Sequence, residues 1–170
     1  GKLLPRLSNL AEEGLLPDRF AVVGAARQPI PEDEFRQQMR DRVQEAEGEA
    51  LDPKRWGNIV ERLHYINAEF DDAALYTQLR ETLATLDARY GTPGNYLFYL
   101  AVPPSLFATV ALHLAKAELT KEREGVWRRV IIEKPFGHDV ESACTLNAQL
   151  ATALKEPQIY RIDHYLGKET

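Results

Sequence analysis

Short apolar runs alternate with long polar or amphipathic stretches along this chain, and that alternation leaves few folds open. The runs are residues 20–24, 63–68, 96–102, 130–133 and 159–162. Each is too short for a typical helix and is bounded by polar or turn-forming residues, so each reads as a strand. Residues 96–102 (YLFYLAV) are apolar throughout, which predicts a strand buried on both faces. Between the runs lie helical patterns. Leu3, Leu7 and Leu10 share one helical spacing, and Gly14 and Pro17 are its stop signals. Residues 31–47 are polar and helix-prone, with Pro31 suited to a first turn. A short helix is expected over 52–62. Asp71 or Asp72 then caps a helix whose stripe is Leu75, Leu79, Leu83 and Leu86. Leu106, Val110 and Leu114 begin another, and Asp139 caps a last one through about Leu154, with Val140, Ala143, Leu146 and Leu150 facing inward. Strands that alternate with helices predict an α/β architecture, a parallel sheet with helices on both faces.

At 170 residues the chain is long enough for one domain with a core. Lys plus Arg number 21 and Asp plus Glu 26, a net charge of -5, which argues against nucleic acid as the main partner. The single cysteine, Cys144, has no internal disulfide partner, and a reducing cytoplasm is the simplest setting. No apolar run is long enough for a membrane span. Because the chain opens with Gly1 rather than Met, a targeting segment ahead of it stays open.

In an open parallel sheet, ligands bind beyond the carboxyl ends of the strands, and the unusual residues gather there. Arg27 follows the first run. A planar guanidinium suits a ribose 2′-phosphate, where an acid would bind a 2′-hydroxyl; a surface arginine is the alternative. Pro103 and Pro104 end the third run. In EKPFG, residues 133–137, Lys134 projects a cation over the sheet edge, where it can meet a substrate oxygen, and Pro135 fixes the turn; a plain turn lysine is the alternative. His138 and Asp139 read as turn and cap. Beyond the fifth run, DHYLGK supplies Asp163, His164, Tyr165 and Lys168. Donors of the last three types can hold a phosphate, and Asp163 can orient a histidine base; for the Asp-His pair the alternative is a structural hydrogen bond. His64 and His113 are isolated and read as core or surface residues. Their spacing suggests no metal site, and Cys144 adds none.

IIEKPFG and RIDHYLGKE together resemble glucose-6-phosphate dehydrogenases. The resemblance extends through KLLPRLSNLAEEGLLPDRFAVVGAAR, DDAALYTQL and FYLAVPPS, so it spans nearly the whole chain. It implies a Rossmann-like dinucleotide-binding fold over residues 1–170. It also implies oxidation of glucose 6-phosphate at its anomeric carbon, with hydride transfer to NADP+, to give 6-phosphogluconolactone for the oxidative pentose phosphate pathway. By motif, Arg27 would bind the cofactor 2′-phosphate, and Ala101, Val102 and Pro103 would line the nicotinamide side. Lys134 would bridge substrate and cofactor, with Pro135 shaping that junction. His164, Tyr165 and Lys168 would hold the sugar phosphate, and Asp163 would pair with the catalytic base.

The family pattern also sets what to expect of the chain's limits. Its glycine-rich diphosphate loop and first strand precede the KLLP helix, and its general-base histidine lies downstream in a second domain, where the family's subunit contact is also mainly found. The expectation is therefore an incomplete Rossmann-like sheet, first strand missing, that ends where the substrate domain starts. Such a chain alone is expected to fold poorly and not to catalyse, whereas the full-length protein is expected to be a cytoplasmic homo-oligomer. Two other functions fit parts of the sequence: another NADP-linked sugar oxidoreductase sharing EKP, or a non-catalytic module that binds a phosphorylated metabolite.

Overall fold

A computed structural model of the chain describes residues 7, 10, 13–47, 57, 59–136 and 139–162. Among the described residues, five strands alternate with four α-helices: β1 Val22–Ala26, α1 Glu32–Glu47, β2 Leu63–Asn67, α2 Ala73–Tyr90, β3 Tyr96–Leu100, α3 Phe107–Lys116, β4 Arg128–Glu133, α4 Val140–Ala151 and β5 Ile159–Ile162. Every strand pairing is parallel, as the alternation predicts. The strands form two sheets rather than one: β1-β2 and β3-β4-β5. The chain divides into two compact units, residues 1–69 with 88–92, and residues 70–87 with 93–170.

In the first unit, Val22 to Ala26 lie in register with Leu63 to Asn67. The first strand starts two residues later than the apolar run suggested and continues to Ala26. The reason is its partner: the Val22 N–H reaches the carbonyl of Arg62, just where β2 begins. The Arg62 guanidinium holds the carbonyls of Asp18 and Phe20 (2.9 and 3.2 Å) and lies over the Phe20 ring, so these entering residues are tied down outside the ladder. Among the described residues of this unit, Phe35, Met39 and Val43 from α1 form a buried cluster with Ile59 and Leu63, and Ile66 of β2 is buried as well. Gly24 faces Phe35 so closely that a Cβ there would lie 2.7 Å from the ring. Helix α1 opens with Glu32, Asp33 and Glu34, charges that favour the positive end of the helix dipole. Pro31 stands one residue outside it, and its carbonyl accepts the first helical bond, from Phe35.

Side chains of α1 also finish the outer edge of β2. Among the described residues β2 pairs only with β1. Two of its outward-facing backbone groups are taken by α1: the Glu32 carboxylate accepts the Tyr65 N–H at 3.2 Å, and the Arg36 Nε–H donates to the Leu63 carbonyl at 3.0 Å. Glu32 and Arg36 pair with each other at 2.5 Å. His64 is buried, as a core histidine should be. Its ring nitrogens meet the Glu32 carboxylate and the Tyr90 hydroxyl, each at 3.2 Å.

In the second unit β4 is central, with Leu100 opposite Ile132 and Ile132 opposite Arg161. Leu100, Val130 and Ile132 share one face and are buried, as are Phe107, Val110, Ala111 and Leu114 of α3 and Leu150 of α4. The other face carries Leu97, which is 56% exposed. Residues 96–102 are thus not buried on both faces, and the strand stops at Leu100. Among the described residues β3 has a partner on one side only, so its outer side chains lack a second neighbour. Strand β4 begins at Arg128, two residues before the apolar stretch. Arg128 is buried because its guanidinium stacks 3.9 Å from the Tyr96 ring and donates to the Gly94 and Trp127 carbonyls.

The helix signals read as expected at several ends. Gly14 adopts φ +68°, and the Leu15 N–H reaches the Leu10 carbonyl, the six-residue bond of a Schellman turn. Asp72, rather than Asp71, caps α2, by accepting the Ala74 N–H at 2.8 Å. Of the α2 stripe, Leu75 and Leu86 are buried, Leu79 and Leu83 half-buried, and Tyr76 joins them inside. Asp139 caps α4 in a reciprocal pair with Ser142. Other expectations fail. Val140 is 80% exposed: at the first helical position it faces outward. Helix α4 ends at Ala151, and Leu154 is buried from the turn that follows, its N–H bonded to the Leu150 carbonyl. Leu106 sits in a short 3-10 turn, Pro104–Leu106, and Phe107 replaces it in the core. Residues 61 and 62 form a turn rather than a helix end; the rest of the expected 52–62 helix, apart from 57, 59 and 60, lies outside the described residues, as does most of the first helix. No described helix is long and apolar enough to cross a membrane.

Candidate functional site

Parallel pairing gives each sheet one carboxyl edge, and those candidate residues that are described sit on these edges. In the first unit Arg27 follows β1 directly. Its neighbour on the β2 side is Glu69, with Nε and a carboxylate oxygen 4.0 Å apart and both side chains more than half exposed. A pair that open to water contributes little to stability, at most about 1 kcal/mol, and a more strongly charged anion displaces it readily. The backbone beneath Arg27 is held more firmly. The Ala26 carbonyl accepts from the Ala68 N–H (3.1 Å) and from the Asn67 side-chain amide (3.2 Å). The Tyr65 hydroxyl donates to the Gln28 carbonyl at 2.6 Å and lies 3.4 Å from that of Ala26. Tyr65, Asn67 and Glu69 went unnoticed in the sequence. Their residue types in a strand are ordinary, and only the pairing of β2 with β1 gives them meaning.

In the second unit, β3 and β4 are neighbours with Leu100 opposite Ile132. Ala101, Val102 and Pro103 therefore leave the sheet beside Lys134 and Pro135. Ala101 and Pro103 are exposed and Val102 is half-buried. The Pro103 carbonyl accepts the Leu106 N–H and starts the turn that carries the chain into α3. Lys134 is exposed at its side chain, while its N–H donates to the Ile162 carbonyl at the end of β5 (3.2 Å). The Lys134-Pro135 peptide bond is cis. One edge thus brings together Ala101, Val102, Pro103, Lys134 and Pro135, with β5 alongside. Asp163, His164, Tyr165 and Lys168 follow β5 in sequence and lie outside the described residues.

His64 and His113 are already committed, and His138 lies outside the described residues. His64 is bonded to Glu32 and Tyr90, and His113 stacks on Tyr76 with ring centres 4.9 Å apart. Among the described residues no group of three or more His, Cys, Asp or Glu side chains is arranged to hold a metal ion. What the two edges present is cationic and hydrogen-bonding: a guanidinium on a fixed backbone in one unit, an ammonium beside an open apolar-lined strand end in the other. The first suits a phosphate, the second an oxygen that carries or develops negative charge.

Residues 1–170 match the family model described as glucose-6-phosphate dehydrogenase, NAD binding domain. A glucose-6-phosphate 1-dehydrogenase from Chlamydia pneumoniae is 45% identical over 99% of this chain and 34% of its own length. Glucose-6-phosphate 1-dehydrogenase 2 of Mycobacterium tuberculosis is 43% identical over 99% of the chain and 33% of its own length. Among solved structures, the glucose-6-phosphate 1-dehydrogenase of Mycobacterium avium is similar with a TM-score of 0.82 and 38% identity, covering 97% of this chain and 33% of that one. A glucose-6-phosphate dehydrogenase in complex with glucose-6-phosphate is similar with a TM-score of 0.84 and 33% identity, covering 99% of this chain and 34% of that one. The chain thus spans about a third of the length of the curated relatives it matches.

Proposed function

This chain belongs to the glucose-6-phosphate dehydrogenase family, and from that membership we propose that it forms the dinucleotide-binding part of an enzyme that oxidises glucose 6-phosphate to 6-phosphogluconolactone, a cytoplasmic homo-oligomer serving the oxidative pentose phosphate pathway. NADP+, when bound, supplies the acceptor for the hydride that leaves the anomeric carbon. Arg27 fits its 2′-phosphate, because the side chain stands at a carboxyl edge, exposed, on a backbone tied to the neighbouring strand. Ala101, Val102 and Pro103 line the nicotinamide side with apolar surface and keep water from the face where hydride passes. Lys134 places its ammonium at the junction, where it orients the sugar and draws charge toward the oxygen losing its proton. Pro135 fixes the turn that aims it. In this reading His164, Tyr165 and Lys168 hold the sugar phosphate, and Asp163 orients the base that takes the proton of the anomeric hydroxyl. Neither His64 nor His113 serves as that base.

The observation that carries the reading is the side-by-side exit of residues 101–103 and Lys134 from paired strands, which puts an apolar wall and a cation at one edge. The test is nicotinamide reduction by the intact protein, supplied with glucose 6-phosphate or glucose and with NADP+ or NAD+. Activity confined to the phosphorylated sugar is expected. Equal activity on glucose removes the role given to His164, Tyr165 and Lys168, and no activity with either removes the dehydrogenase. Lys134→Ala should lower kcat rather than only raise KM, because a contact made at the reacting centre is lost.

A further inference from the structure

An arginine that selects a phosphate must present its fork at a fixed place, and its long side chain does not do that unaided. What it stands on matters. Arg27 is preceded by Ala26 and followed by Gln28, and β2 holds the carbonyls of both. Asn67 and the Ala68 N–H take the first, and the Tyr65 hydroxyl takes the second at 2.6 Å. The peptide plane that enters Arg27 and the one that leaves Gln28 are therefore both tied to the neighbouring segment, and Arg27 lies between them. Tyr65 is itself held. Its ring stacks on Phe35 with centres 4.7 Å apart, and Phe35 occupies the space left by the missing side chain of Gly24. Burial pushes the Tyr65 phenol above its ordinary value, so across the physiological range the hydroxyl keeps the proton it donates.

We propose that Tyr65 is a positioning residue for Arg27, and that through its bond to the Gln28 carbonyl it sets how strongly the site prefers a 2′-phosphorylated dinucleotide over its 2′-hydroxyl counterpart. The proposal rests on the reading that Arg27 meets the 2′-phosphate. Tyr65 touches no part of the dinucleotide in this scheme; it acts through the backbone of residues 26–28. Asn67 supports the same segment from the next position on that face of β2.

The experiment uses the intact protein and two probes, adenosine 2′,5′-bisphosphate and AMP, with melting temperature measured alongside. One neutral hydrogen bond corresponds to a change of about threefold to tenfold. Tyr65→Phe should weaken the bisphosphate by about that factor, leave AMP binding as it was, and raise KM for NADP+ without changing kcat. Asn67→Ala should act in the same direction. Tyr90→Phe, which removes another hydroxyl from the same unit, should lower the melting temperature and leave the preference between the probes unchanged. If Arg27→Ala abolishes that preference while Tyr65→Phe and Asn67→Ala leave it intact, or weaken both probes equally, the positioning role is wrong and Arg27 keeps its own. If Arg27→Ala does not alter the preference, the reading beneath the proposal fails with it.

Discussion

The two units of this chain are held by different means. Among the described residues, the first has an apolar cluster of five buried residues from α1, the approach to β2 and its first position, and around it a dense set of polar ties: Glu32 to Arg36, His64 and Tyr65, Arg36 to Leu63, and Arg62 to Asp18 and Phe20. The second buries more large apolar side chains to near zero exposure among the described residues, Phe107, Leu114, Ile132, Leu150 and Val130 against Leu63 and Val43 in the first. Apolar burial is non-directional and tolerates modest displacement. Hydrogen bonds are directional and fail as a set. The first unit is therefore the one whose strand ends are placed precisely by particular side chains, and it is where a guanidinium must be aimed.

Breaking this contrast starts in the second unit. Phe107→Ala should cost about 3–5 kcal/mol through the cavity it leaves, read from the urea midpoint of the intact protein, and hydrogen exchange should show the loss in β3 and β4 first. In the first unit, Glu32→Ala should cost about 1–3 kcal/mol, because the Tyr65 N–H and His64 lose their acceptor. Exchange at Tyr65 should report it. Should this variant prove as stable as its parent, polar ties are not what holds that unit.

Alkaline pH sharpens the same comparison. Burial first, and then the neighbouring acids, push Tyr76 and Tyr96 up to about 12; Tyr96 also donates to Asp87 at 2.6 Å. Both belong to the second unit. A phenol whose folded value lies above its unfolded one stabilises fully below the unfolded value, about 10. That contribution is lost as pH rises from about 10 through about 12, since the unfolded chain ionises first. Exchange followed through that window should show the second unit loosening, and Tyr96→Phe should flatten part of the dependence. A smaller effect is expected at α4. Asp139→Ala removes a reciprocal cap and should cost about 1 kcal/mol, seen as a small drop in melting temperature, with the exchange change confined to the first turn.

The sequence displayed the order of elements and the edges that matter, because short apolar runs bounded by polar and turn-forming residues mark each strand to within a residue or two of its end. Arg27, Pro103 and Lys134 could be placed at carboxyl ends on that basis alone. Pairing decided what single runs do not contain. The start of β1 depends on where Arg62 presents its carbonyl. Leu97 looks like a core residue in YLFYLAV, yet it lies on the open face of a strand partnered on one side. Val140 has the residue type of a core position but the place of a first helical residue. Tyr65 looks like strand filler until its register against β1 brings its hydroxyl to Gln28. Leu150, by contrast, was legible, since spacing from Asp139 fixes its face and the face is buried.

The finish that α1 gives to β2 has a consequence in time as well as in space. Residues 32–47 are made before residues 63–67, so the helix carrying Glu32 and Arg36 leaves the ribosome ahead of the strand it will cover. Domains fold as synthesis proceeds, and a bare strand edge is a template for joining with other chains. Here the cover is on hand when the edge first forms. A nascent chain built in this order has Glu32 and Arg36 at hand to occupy the Tyr65 N–H and the Leu63 carbonyl once β2 is made, whereas a rearrangement that placed the strand ahead of the helix would leave those two groups open for longer while keeping every contact of the finished fold.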